Sequence, residues 1–122
     1  MIELKKTAGG IEAKGHEIPV MDFYDVVVIG GGVAGTAAGM AAAKCGMKTV
    51  ILETFTALGG LTTLGLVNIP LDFVSGLGKE MFDELEKVKG LWHRNTDPEK
   101  HKLVLDRMTK KYGCEVLFQA QV

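Results

Sequence analysis

The chain has 122 residues, which is enough for one domain with a single core. Hydrophobic residues make up 47% and charged residues 24% of it, as in an ordinary globular protein. The formal net charge of −1 gives no reason to expect a nucleic acid or an anionic membrane as a partner. No apolar stretch is long enough to span a bilayer, and no signal-peptide pattern follows Lys5 and Lys6. We therefore expect a soluble, cytoplasmic protein.

The two cysteines, Cys45 and Cys114, lie far apart and form no CxxC pair. We interpret them as small buried apolar residues, one near a helix end and one in a strand, in a reducing compartment. A disulfide or a redox role is the alternative. His16 and His101 lack metal-ligand spacing to a cysteine or a carboxylate, so we expect no metal site.

The N-terminal part of the chain, residues 1–21, is polar and is punctuated by glycine and proline. Ile2 and Leu4 alternate with charged residues, which indicates either a short edge hairpin or a mobile arm. Residues 22–122 then form the predicted domain.

The domain begins with a valine-rich apolar run over residues 25–29, which stops abruptly at Gly30. Runs of this kind are typical of a parallel strand that is covered on both faces. An alanine-rich helix is predicted over residues 33–44. A second buried strand is predicted over residues 48–52, with Glu53 at its end.

The rest of the chain predicts two more helices and a final strand. An amphipathic helix is predicted over residues 78–89. Its apolar stripe consists of Leu77, Met81, Leu85 and Val88. Asp97, followed by proline, starts a helix that runs to about Tyr112, and a strand follows over residues 114–122. This order of elements predicts an α/β fold, with a Rossmann-like βαβ unit and a parallel sheet.

The glycine-rich turn over residues 30–35 has the pattern G-x-G-x-x-G. Gly30 permits a sharp turn, Gly32 lets a pyrophosphate approach the backbone, and Gly35 lets the helix lie close to the sheet. The helix N-terminus then faces the diphosphate. Glu53 follows at the spacing of the carboxylate that accepts hydrogen bonds from ribose hydroxyls and repels a 2′-phosphate. The unit predicts a site for the ADP half of FAD or NAD; a turn that only packs the βαβ unit is the alternative.

A resemblance to a known family favours FAD. The segment from Tyr24 to Gly32, with Gly39 and Glu53, resembles the N-terminal fingerprint of two-dinucleotide-binding-domain flavoproteins. Leu58 to Asn68, with the sequence LGGLTTLGLVN, is similar to bacterial FAD-dependent oxidoreductases of the glutathione-reductase-like superfamily. The resemblance covers nearly the whole chain from Glu17 onward.

The resemblance implies an oxidoreductase in which hydride passes between an unidentified substrate and non-covalently bound FAD. It implies that the glycine turn cradles the pyrophosphate and that Glu53 holds the adenosine ribose. It also implies that Gly59, Gly60, Thr62 and Thr63 approach the pyrophosphate or the isoalloxazine edge, and that the backbone of Val122 contacts adenine. No catalytic base can be named. The implied cofactor-binding residues are Gly30, Gly32, Val33, Ala34, Gly35, Glu53, Thr54, Gly59, Gly60, Thr62, Thr63 and Val122.

Members of the resembled family are several times longer, with a substrate domain and a later flavin-binding motif. The resemblance therefore implies that this chain corresponds to their front part and is apparently truncated. It also implies that a second polypeptide or a second copy covers exposed apolar surface. Two alternatives stay open. One is a non-catalytic cofactor-binding fragment or subunit that needs a partner chain; the other is an NAD-binding domain, against which Gly59 and Gly60 argue.

Several other residues are given structural interpretations. His93 and Arg94 are interpreted as part of an ordinary polar loop between two helices, although a basic substrate pocket is the alternative. Trp92 is interpreted as a packing anchor. The charged residues of the helix over 78–89 are interpreted as a solvated face with i,i+4 ion pairs.

Overall fold

The computed structural model describes residues 4–13, 16–69, 75–93 and 95–122. The described elements, in chain order, are β1 (Leu4–Lys6), β2 (Gly10–Ala13), β3 (His16–Pro19), β4 (Val26–Ile29), α1 (Val33–Lys44), β5 (Thr49–Glu53), a 3-10 helix (Gly60–Thr62), α2 (Gly76–Lys87), β6 (Leu91–Trp92), β7 (Asn95–Thr96), α3 (Pro98–Tyr112) and β8 (Glu115–Phe118).

A parallel sheet with the strand order β4-β5-β8 forms the centre of the chain. Its register places Val28, Ile51 and Val116 side by side in one row. The helix α1 connects β4 to β5 and packs on both strands, while α3 packs on α1 and leads into β8. The α/β fold predicted from the sequence, with its βαβ unit and parallel sheet, is therefore confirmed.

The hydrophobic core lies between one face of this sheet and the three α-helices. Ile51 and Leu85 are fully buried there, together with Met40 of α1 and Met108 of α3. The predicted apolar stripe of α2 is also confirmed, because the other members of the stripe pack against the cluster that holds Leu85. Each fully buried side chain of this size contributes about 1.5–3 kcal/mol relative to an exposed one.

Residue-level signals explain where the helices begin, end and pack. The side chain of Asp97 accepts hydrogen bonds from the N–H groups of Glu99 (3.0 Å) and Lys100 (3.2 Å), which starts α3 as expected. Gly113, with a φ of 72°, ends the same helix in the left-handed region. In α1, a Cβ on Gly39 would lie 2.7 Å from the side chain of Ile51, so glycine permits the close approach of helix and sheet.

The open face of the parallel sheet differs from expectation. The side chains of Val27, Ile29 and Leu117 are 52%, 68% and 47% exposed. The prediction that the first strand is covered on both faces is wrong for the part of the chain that the structure describes. The reason is that α1, α2 and α3 all gather around the opposite face, where Val28 and Ile51 lie.

Smaller differences concern element bounds and a cysteine. The helix α2 begins and ends two residues before the predicted range, and β8 ends at Phe118 because Gln119 has a φ of 57°. The expectation that Cys45 is buried is wrong: it follows the last residue of α1 and is exposed, whereas Cys114 is buried as expected. Both cysteines are free.

The described N-terminal residues form an antiparallel sheet with the order β1-β2-β3. Its register places Ile11 beside Ile18 and Lys5 beside Glu12. Ile2 of the predicted hairpin or arm lies outside the described residues. A second small antiparallel pair, β6 and β7, occupies the segment expected to be a polar loop.

Replacement of Gly39 by leucine tests the packing of α1 on the sheet. We expect Gly39→Leu to lower the free energy of unfolding by about 1–3 kcal/mol, because the new side chain overlaps Ile51. Ala38→Leu, on the exposed side of α1, is the control and should change it by less than about 0.5 kcal/mol. Denaturation in urea gives both values, and an equal effect of the two substitutions would contradict this packing.

Candidate dinucleotide-binding site

The glycine turn lies where β4 ends and α1 begins, at the carboxyl edge of the parallel sheet. Gly30 has a φ of 92°, in the left-handed region that glycine adopts without strain. Its N–H donates to the carbonyl of Leu52 at 2.8 Å, so the turn starts within the sheet. In parallel sheets, ligands bind at this carboxyl edge.

Three glycines of the turn differ in what a side chain would meet. A Cβ on Gly35 would lie 1.8 Å from the carbonyl oxygen of Gly30. One on Gly31 would lie 2.5 Å from Leu58 and 2.9 Å from the carboxylate of Glu53. At Gly32, φ is −66° and a Cβ would meet no described atom within 4 Å. The fold thus explains glycine at two of the positions but not at Gly32, which faces open space.

Among the described residues, no side chain caps the N-terminus of α1. Gly32 occupies the N-cap position without a side-chain hydrogen bond, and the first turn contains no acidic residue. Val33 and Ala34 in that turn are exposed. Because the first N–H groups of a helix have no intrahelical acceptor and stand at the positive end of its dipole, they form a site for an anion.

The loop after β5 lies directly against the glycine turn. The N–H of Gly59 donates to the carbonyl of Gly31 at 2.8 Å, and Gly59 and Gly32 form an isolated parallel bridge. A Cβ on Gly60 would lie 3.1 Å from the Cα of Gly32. Both loop glycines have positive φ values, 95° and 51°. The structure therefore brings together the two glycine motifs that the sequence singled out.

The two threonines of this loop have hydroxyl groups that bond to the loop itself. Thr63 is fully buried, and its hydroxyl donates to the carbonyl of Leu58 at 2.5 Å. The hydroxyl of Thr62 donates to the carbonyl of Gly59 at 3.0 Å. In this structure both hydroxyls hold the loop in shape.

Glu53 lies at the end of β5 with only 6% of its surface exposed. One carboxylate oxygen accepts from the N–H of Gly31 at 2.5 Å, and the other accepts from the N–H of Phe55 at 2.8 Å. Each carboxylate oxygen can accept a second hydrogen bond, so these contacts leave acceptor capacity for a ribose hydroxyl. The charge also disfavours a phosphate next to it.

The C-terminal residues pass beside Glu53. The N–H of Ala120 donates to the carbonyl of Glu53 at 3.0 Å, and the hydroxyl of Thr54 lies 3.5 Å from the carbonyl of Ala120. Val122, two residues further on, is 80% exposed. Glu53, Thr54 and Ala120 thus lie together at the carboxyl edge of the sheet.

Thr36 is a site residue that the sequence analysis missed. It is 1% exposed, and its hydroxyl donates to the carbonyl of Gly31 at 2.8 Å. Thr36 directly follows Gly35, the last glycine of the motif, and this position was the signal that could have identified it. The helical periodicity of α1 marks Thr36 only as a core residue.

An apolar cavity of about 280 Å³ lies between the three helices and the loop at Gly59. Met40, Met81 and His101 are among its lining residues. The Nε2 atom of His101 lies 2.9 Å from the sulfur of Met81, and its buried Nδ1 has no hydrogen-bond partner among the described residues. Burial lowers the pKa of His101 below its ordinary value of 6.5.

The remaining residues that the sequence analysis weighed lie outside the turn. His93 is exposed beside Trp92, with ring centroids 5.3 Å apart, and Arg94 lies outside the described residues. Trp92 is 72% exposed, so the interpretation of Trp92 as a packing anchor is wrong. The interpretation of α2 as a charged, solvated face is confirmed by exposed ion pairs such as Lys79–Asp83 at 2.7 Å.

The part of the chain that the structure describes has neither a metal-binding cluster nor a membrane-spanning helix. No three histidine, cysteine, aspartate or glutamate side chains are grouped there so as to hold a metal ion. No helix there has the length and apolar composition needed to cross a membrane.

Comparison with known proteins assigns the family. Residues 25–122 match the family model described as FAD dependent oxidoreductase. The chain belongs to this family. The matched residues include β4 through β8 and therefore the parallel sheet and the glycine turn described above.

Individual relatives are much longer than this chain. It is 39% identical over 80 residues to the mitochondrial 5-taurinomethyluridine-tRNA synthase subunit MTO1 of Mus musculus, a match that covers 65% of this chain and 11% of that protein. It is 48% identical over 52 residues to the dihydrolipoyl dehydrogenase of Trypanosoma brucei brucei, covering 43% and 11%. The structure of THI4 from Thermovibrio ammonificans superposes with a TM-score of 0.53 and 25% identity, covering 78% of this chain and 38% of that one.

The buried histidine predicts a pH dependence of stability. The unfolded chain protonates His101 near pH 6.5, whereas the folded chain does so only at lower pH, so the free energy of unfolding falls as pH drops below about 6.5. We expect His101→Leu to remove this part of the slope of the unfolding free energy against pH, which urea denaturation at pH 7.0 and pH 5.0 measures. His93→Gln, at an exposed histidine, is the control and should keep it. An unchanged slope in His101→Leu would show that another group is responsible.

Proposed function

We propose that this chain is the FAD-binding portion of a bacterial, glutathione-reductase-like flavin-dependent oxidoreductase. In the whole protein, hydride passes between an unidentified substrate and non-covalently bound FAD. The cofactor-binding portion contributes the site for the ADP half, and no catalytic base is assigned. A cytoplasmic location is part of the proposal and agrees with the two free cysteines.

The environment of Gly32 is the observation that carries the proposal. Neither backbone strain nor a clash requires glycine there, because its φ is −66° and a Cβ at this position would have no described atom within 4 Å. A ligand that closely approaches the backbone at a helix N-terminus supplies the missing reason. The residues present therefore fit a pyrophosphate, which supports a dinucleotide at this edge of the sheet.

The proposed contacts follow the geometry of the turn. The first N–H groups of α1, from Gly32 to Gly35, hold the pyrophosphate, and Glu53 accepts hydrogen bonds from the adenosine ribose. Thr54 and Val122 lie at the adenosine end, and the loop at Gly59 borders the pyrophosphate. When bound, the flavin supplies the redox chemistry, while the chain binds and orients it.

FAD is favoured over NAD by the family to which the chain belongs. The carboxylate of Glu53 argues against NADP, because a 2′-phosphate next to the buried end of β5 would be repelled. An NAD-binding domain would use the same turn and is distinguished by the cofactor that is retained.

A cofactor-binding part that needs a partner chain is the second candidate. The exposed side chains of Val27, Ile29 and Leu117 on the open face of the sheet favour it. In that case the isolated chain would hold FAD only after a second polypeptide, or a second copy, covers this face.

The visible absorption spectrum with and without FAD tests the proposal. We expect the wild-type chain to retain flavin absorbance after gel filtration. We expect Gly32→Glu to bind FAD at least about 100-fold more weakly, because a carboxylate would stand against the pyrophosphate. Ala38→Glu adds the same charge on the exposed side of α1 and serves as the control.

Each result has a separate meaning. Flavin retained by the wild type and by Ala38→Glu but lost in Gly32→Glu supports the pyrophosphate assignment. Equal retention by Gly32→Glu overturns it. A colourless wild-type chain that NADH stabilises against heat supports an NAD-binding domain instead.

A further inference from the structure

We infer that Thr36 is a positioning residue for cofactor binding: its hydroxyl fixes the peptide plane that aims the Gly32 N–H at the pyrophosphate. This inference rests on the proposed function, since it concerns the same turn. The Thr36 hydroxyl acts through the backbone of Gly31 and not by contact with the cofactor.

The carbonyl of Gly31 accepts two hydrogen bonds. The hydroxyl of Thr36 and the N–H of Gly59 each donate to it at 2.8 Å. Thr36 is 1% exposed and Gly59 is buried, so the carbonyl points toward the protein interior. On the other side of the residue, the N–H of Gly31 donates to the carboxylate of Glu53 at 2.5 Å.

The planarity of the peptide bond then determines the direction of the Gly32 N–H. The carbonyl of Gly31 and the N–H of Gly32 belong to the same trans peptide, in which the two groups point in opposite directions. A carbonyl directed inward therefore directs the Gly32 N–H outward. The outward side is the open space beside Gly32, where a Cβ would meet no described atom within 4 Å.

Without the Thr36 hydroxyl, the backbone of the glycine turn would have more conformational freedom. Gly30, Gly31 and Gly32 lack side chains, so their backbone has more accessible conformations than any other tripeptide. Rotation of the Gly31–Gly32 peptide would turn the N–H away from the ligand and place a carbonyl oxygen toward a phosphate. The Thr36 hydroxyl opposes that rotation, which preorganises the site before the ligand arrives.

Three substitutions isolate this effect. Thr36→Val removes the hydroxyl while keeping the shape of the side chain, and Thr36→Ser keeps the hydroxyl. Thr49→Val is the matched control. Thr49 is 0% exposed, and its hydroxyl donates to the carbonyl of Met47 at 2.9 Å. It is the first residue of β5, so it lies at the end of the strand opposite to Glu53. All are made in the full chain and studied well below the melting temperature.

The first measurement is the dissociation constant for FAD, with ADP as a second ligand that shares the pyrophosphate. We expect Thr36→Val to raise the dissociation constants for FAD and for ADP about tenfold, because it removes one hydrogen bond that organises the site. Thr36→Ser and Thr49→Val should stay within about twofold of the wild type. Unchanged binding in Thr36→Val, or an equal loss in Thr49→Val, overturns the inference.

The second measurement is the hydrogen exchange of the Gly59 amide in cofactor-free protein, observed by NMR. We expect Thr36→Val to speed this exchange about tenfold relative to Thr49→Val, because a rotated peptide deprives Gly59 of its acceptor. If the wild type binds neither FAD nor ADP, the proposed function fails, and this exchange decides only whether Thr36 fixes the Gly31–Gly32 peptide. Equal exchange in both variants then overturns the inference.

Discussion

The hydrogen bond from the N–H of Gly31 to the carboxylate of Glu53 is the contact on which the site depends. It joins the turn after β4 to the end of β5 at 2.5 Å. A carboxylate with only 6% exposure would be costly without such partners, and the N–H of Phe55 satisfies its second oxygen. The same residue therefore fixes both the turn and the direction in which the chain leaves the sheet.

Small residues let the rest of the structure close around this contact. Gly35 allows the helix to pass the carbonyl of Gly30, and Gly39 allows it to lie on Ile51. The helices consequently cover one face of the sheet tightly and leave Val27 and Ile29 exposed on the other. The relatives that the chain matches are far longer than the chain itself.

Much of the fold was predictable because its signals are local. The valine-rich run, the Asp97-proline start of α3 and the apolar stripe of α2 each depend on residues close together in sequence, and the structure contains all three elements. The residues of β4 alone could not predict which faces of this strand are covered by other elements. An apolar strand shows that burial is favourable, but which faces are covered depends on elements elsewhere in the fold.

The sequence by itself determined the glycine turn and the carboxylate that follows it, since the glycine spacing and Glu53 belong to one βαβ unit. Only the tertiary structure decided how the site is held together. The inward carbonyl of Gly31, which accepts from Thr36 and Gly59, is such a feature. So is the burial of Thr63, whose hydroxyl bonds inside the loop. The physical reason is that the bond from Gly59 to Gly31 joins residues far apart in sequence, and the burial of Thr36 and Thr63 depends on the packing of β5 and α1, which no local pattern encodes.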